Sequence, residues 1–138
     1  MNTHVHTIPG GKMVVTWDAD ARAIIDTWAN YGITLEQFRE AVLVKGLDHS
    51  RAHGGRAWIV DSSQAKGAFS QEIQAFIDSD IFPAFAANGV KYFITINSPS
   101  VVTQLTIQSY QAKTGPNGLI LVEVLSMQDA LAWLKDRD

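Results

Sequence analysis

The chain has 138 residues, 46% of them hydrophobic and 18% charged, with a formal net charge of −3 and no cysteine. This length supports one domain whose core needs no covalent staples, and the missing cysteines exclude disulfides, thiol catalysis and thiolate metal sites. A slightly acidic chain has no electrostatic reason to hold nucleic acid or an anionic membrane surface, and no apolar run approaches the roughly 18 residues that a bilayer span requires.

In chain order, residues 1–11 read as a flexible lead-in closed by the turn signal Pro9-Gly10-Gly11. They lack the basic start and apolar centre of a signal peptide, so the expected location is the cytoplasm. Residues 12–138 read as a single domain. Lys12 to Trp17 and Arg22 to Trp28 are strand-like runs separated by the turn Asp18-Ala19-Asp20. Runs this close pair antiparallel, because a parallel partner needs a long crossover. The alternative is one helix over 19–29 with Ala21, Ile24, Ile25 and Trp28 on one face. If the two tryptophan-bearing runs form a sheet edge, they offer a surface for homodimerisation.

Thr34-Leu35-Glu36-Gln37 is a capping box that opens a helix with Leu35, Phe38 and Val42 on one face. Gly46 weakens its middle, leaving either a continuation to His53 or a loose turn, and Gly54-Gly55 ends it. Ala57-Trp58-Ile59-Val60 is a buried-strand run, and the next helix carries Ile73, Phe76, Ile77, Ile81 and Ala84 at helical spacing. Pro83 inside that pattern predicts a kink or break near Phe82. Tyr92 to Ile96 is a further strand, and Ser98-Pro99 opens a helix that buries Val101, Val102 and Leu105. Leu119 to Val124 is the last strand, and Ser126 opens a closing helix with Met127, Ala130, Leu131 and Leu134 inward. Strands alternating with helices of this length specify an α/β fold around a mainly parallel sheet.

No catalytic motif stands out, so the chain reads as a non-enzymatic protein without a cofactor or metal. His49 and His53 share a helix face at i, i+4 spacing, but Ser50 stands where a metalloprotease helix carries Glu, and no third ligand is evident. The loop 61–70 leaves the C-terminal end of a core strand and enters a helix N-terminus, where open parallel sheets bind ligands and helix ends favour anions. Asp61, Ser62, Ser63, Lys66, Phe69 and Ser70, with Asn97 and Ser98 after the neighbouring strand, are therefore the candidate partner- or ligand-binding residues. Their plainer reading is that Ser70 caps the helix and Asp61 bonds the turn backbone. Trp17, Trp28, Tyr31, Phe38 and Trp58 either line an apolar pocket or simply pack the core.

The runs Thr34 to Phe38, Trp58 to Asp61, Ile81-Phe82-Pro83 with Asn88-Gly89-Val90, and Asp129 to Leu134 resemble those of the STAS/SpoIIAA-like family, in particular its small stand-alone bacterial members. The resemblance runs from about residue 12 to the end and implies a SpoIIAA-like mixed sheet of four to five strands with about four helices, in the order ββαβαβαβα. It also implies a regulatory protein-interaction module. In the family's anti-sigma-factor antagonists a serine at the second helix N-terminus is phosphorylated, which makes Ser70 the candidate phosphorylation site, although no glycine follows it. The alternative function is a small-molecule carrier for an apolar or anionic ligand. A large enclosed pocket near Trp58, Phe69 and Phe93 would favour the carrier, and a closed core with an exposed apolar patch the interaction module.

Overall fold

The computed structural model describes residues 2–97 and 113–137. Its elements are β1 (Asn2–Thr7), β2 (Met13–Asp18), β3 (Ala23–Trp28), α1 (35–52), β4 (Ala57–Asp61), α2 (71–87), β5 (Tyr92–Ile96), β6 (Lys113–Thr114), β7 (Ile120–Val124) and α3 (Met127–Lys135). The strands form one mixed sheet in the order β1-β2-β3-β4-β5-β7-β6. The four strands β3, β4, β5 and β7 are parallel neighbours, while β1-β2-β3 and β6-β7 pair antiparallel. The helix expected from Ser98 onward lies outside the described residues.

The α/β class and the parallel centre follow from the apolar runs, as does the β2-β3 hairpin. The strand count does not: the described residues form seven strands where four to five were expected. One addition is β1, in the segment expected to be a flexible lead-in. Its Val5 packs against the core, and the backbone pairs with β2 through a bulge between His4 and His6. Pro9-Gly10-Gly11 is thus the turn of a hairpin, tied by Ile8 N–H to Met13 C=O at 2.9 Å, and Ile8 is fully buried. With β1 outside it, β2 is no longer an edge. Trp17 and Trp28 are buried within the sheet, so the exposed tryptophan surface that suggested a homodimer is not there. Asp18 is buried too, its Oδ1 accepting the Ala21 N–H at 3.1 Å to close the β2-β3 turn.

Alternation along the strands divides the core in two. Ile24, Trp28 and Trp58 point to the face covered by α1 and α2, joined there by Phe38, Ile73, Ile81 and Phe85. Ala23, Ile25, Ala57, Ile59, Ile94 and Val122 point to the opposite face, where Ala130 and Leu134 of α3 meet them. A sheet covered on both faces explains why its central strands are almost continuously apolar. Arg56 ties α3 to the sheet: its guanidinium donates to the carbonyls of Ala21, Leu134 and Arg137 at 3.1, 3.0 and 2.6 Å.

Both long helices contain a π-helical stretch. In α1, Leu35–Phe38 is α-helical behind the Thr34 capping box, Arg39–Gly46 is π-helical, and Leu47–Ala52 returns to α. Gly46 therefore continues the helix, and it permits contact: a Cβ there would lie 2.8 Å from Cη2 of Trp58. In α2, Gln71–Phe76 and Phe82–Ala87 are α-helical and Ile77–Ile81 is π-helical. Of the kink or break expected near Phe82, the break does not occur: the irregularity there is a change of winding, from π-helix up to Ile81 to α-helix from Phe82. The wider π turn immediately before Pro83 accommodates its missing N–H, so the helix continues through it.

Candidate functional site

Register places Asp26 of β3 between Val15 of β2 and Val60 of β4. Its parity with Ile24 and Trp28 turns its side chain toward α1 and α2, where it is 2% exposed. One carboxyl oxygen accepts the indole N–H of Trp58 at 2.8 Å. The other, Oδ1, has no hydrogen-bond partner among the described residues. Burial outweighs the indole hydrogen bond and lifts the pKa from 3.8 to about 7. A buried acceptor left unpaired costs about 1–3 kcal/mol.

Asp26 lines a partly enclosed cavity of about 70 Å³. Asp26, Trp28, Phe38, Val42, Trp58, Ile81 and Phe85 are buried and make its floor, while Val60, Phe69, Ile77 and Phe93 are half-buried and make its rim. A water needs roughly 10–15 Å³ of such space, so the cavity takes a molecule of a few heavy atoms. Val42 belongs to the π stretch of α1, and Ile77 and Ile81 to that of α2. π-helical turns are rare and concentrate at functional sites, and here both flank one cavity.

The loop expected to bind a partner is built into the rim. Phe69 packs edge-on against Trp28 at 5.0 Å and Phe38 at 5.4 Å, and lies 4.3 Å from the Tyr31 ring. The remaining candidates hold the loop in place. Asp61 Oδ1 accepts from the Ser63 N–H at 3.1 Å and the Ser63 hydroxyl at 2.6 Å. The Ser62 and Tyr31 hydroxyls hydrogen-bond each other. Lys66 N–H donates to Ala29 C=O, and its carbonyl accepts from Tyr31 N–H at 2.9 Å. Ser70 caps α2, accepting the Ile73 N–H at 3.2 Å. Asn97 N–H donates to Val124 C=O at 3.2 Å, and Ser98 lies outside the described residues. Of these candidates, Phe69 is the only one among the described residues that lines the cavity.

Among the aromatics, Trp28, Phe38 and Trp58 line the cavity, whereas Trp17 and Tyr31 do not. Trp17 packs on the histidine pair, 5.5 Å from His49 and 5.8 Å from His53, whose rings stack at 4.1 Å. Burial, then the neighbouring His53, pushes the His49 pKa down. Among the described residues no cluster of three potential ligands is placed to hold a metal, and no helix is long and apolar enough to cross a membrane.

Asp26 was not among the residues singled out from sequence. Its signal is parity: it alternates with Ile24 and Trp28, so a face that buries them must bury the acid. Comparison with family models, curated proteins and solved structures finds no match for this chain.

Proposed function

We propose that this protein is a non-enzymatic small-molecule-binding module whose ligand occupies the cavity between the two π stretches. The observation that carries the reading is the partly enclosed aromatic cavity of about 70 Å³ lined by Trp58, Phe69 and Phe93, with one polar group, the Asp26 carboxyl, among apolar walls. Binding pockets combine apolar lining for affinity with a few polar groups for orientation; this cavity has that lining but is smaller and more open than the large enclosed pocket named above, which limits the proposed ligand to a few heavy atoms. The STAS/SpoIIAA-like reading remains part of the proposal, supported by the strand–helix alternation from β3 to β5; the seven strands depart from the count it implied.

Native mass spectrometry of the purified chain tests the ligand reading, with Val42→Phe as the control that fills the cavity. A small-mass adduct on the wild type that is absent from folded Val42→Phe supports it. An adduct retained by that variant, or titrations in which no small apolar molecule perturbs Trp28 or Trp58 fluorescence, overturns it.

A protein-interaction module presenting loop 61–70 is the second reading, and the exposure of Ser70 at the α2 N-terminus favours it. A phosphate there would add roughly −1.5 to −2 charge. Loss of a captured partner by Ser70→Asp, with cavity binding unchanged, would support this role.

A further inference from the structure

Resting on the cavity reading above, we infer that the ligand is a small organic ammonium ion, its N–H group on Asp26 Oδ1 and its alkyl body among the aromatic rings. Two independent features point to this chemistry. The first is the unpartnered oxygen. Asp26 Oδ2 is already used by Trp58, so Oδ1 is the remaining acceptor of a carboxyl that is 2% exposed, and it asks for a donor. The second is the wall. Trp28, Phe38, Trp58, Phe69, Phe85 and Phe93 surround the space, with Trp58 and Phe85 stacked at 4.2 Å and Phe69 edge-on to Trp28.

Aromatic faces carry negative charge density and attract cations, more strongly when desolvated. A carboxylate beside them supplies the countercharge that burial otherwise withholds. A neutral alcohol would satisfy Oδ1 but gain little from the rings. A quaternary ammonium would gain from the rings but has no N–H for Oδ1. A protonated primary amine uses both, and the small cavity limits it to a few heavy atoms.

The charge states agree with this pairing. Burial raises the Asp26 pKa to about 7, and among the described residues the lining holds no other titratable side chain. The titratable neighbour that feels the Asp26 charge is Tyr31, whose hydroxyl is engaged by Ser62 and which also feels Asp61. An alkylamine stays protonated well above that range, with lysine at about 10.4 as the guide. Ionisation of Asp26 therefore controls the pairing, and binding tightens as pH rises through that value.

The test is an NMR titration of the whole chain with isopropylammonium and with 2-propanol, a pair matched in size and differing in charge. Millimolar isopropylammonium is expected to shift the Trp58 indole N–H. At about pH 8 it should bind at least about tenfold tighter than the alcohol, and more weakly at about pH 6. In Asp26→Asn that preference should vanish while 2-propanol still binds. Equal binding of the two probes by the wild type at pH 8, or a preference that survives Asp26→Asn, overturns the ammonium assignment and leaves the cavity reading standing. Failure of both probes to perturb the cavity removes both. If Asp26→Asn fails to fold, the wild-type comparison of probes and of pH values decides alone.

Discussion

Asp26 stands where a third valine would complete a row with Val15 and Val60. The acid is therefore a source of pH dependence in stability. Its folded pKa of about 7 exceeds the ordinary 3.8, so between those values the native state holds a proton that the unfolded chain has released. Stability falls as pH rises through that window and levels off above it, a total change of roughly 4 kcal/mol for a shift of this size. Urea unfolding of wild type and Asp26→Asn across the same range isolates this contribution, because the other carboxylates are common to both. The wild type should lose stability relative to the variant as pH rises; parallel curves would show that the carboxyl is solvated in the native state. Asp26 escaped the sequence reading because its partner Trp58 is distant along the chain, in the next strand over. Ser70 and Asp61 were legible as a cap and a turn former because each bonds the backbone within three residues of itself. Local bonds can be read from local spacing, whereas a cavity depends on which strands become neighbours.

Among the elements, the helices are tuned by two small residues. Ser70→Ala removes the α2 cap and should cost about 1 kcal/mol by thermal or chemical unfolding. Gly46→Ala adds a methyl 2.8 Å from the Trp58 indole, and should destabilise by about 1–3 kcal/mol despite the helix propensity that alanine brings. A stabilised Gly46→Ala protein would mean that the indole has room to move. The central strands were legible because burial on both faces leaves an unbroken apolar run. β1 was not: Asn2-Thr3-His4-Val5-His6-Thr7 is polar almost throughout, and what holds it is mainly the ladder with β2. The π stretches were equally hidden, since one or two widened turns alter the apolar spacing of α1 and α2 too little to register.

At the scale of the whole molecule, the sheet depends on its N-terminal hairpin. Ile8 is fully buried although it lies outside any strand, so Ile8→Ala should cost about 2–5 kcal/mol and expose the β2 edge. Chemical unfolding measures the first effect and light scattering the second; an unchanged midpoint would show that the hairpin contributes nothing to global stability. Loop 61–70 is tied to the segment that follows β3. Its backbone is bonded through Lys66 to Ala29 and Tyr31, and its Ser62 hydroxyl to that of Tyr31, all in the segment that follows β3. If the cavity takes a guest as proposed, these bonds, by holding the loop that carries Phe69, should affect how fast the guest enters and leaves more than how tightly it is held. Tyr31→Phe deletes one of them without touching the cavity wall. Association and dissociation should then accelerate by similar factors, the dissociation constant staying nearly constant while the residence time shortens.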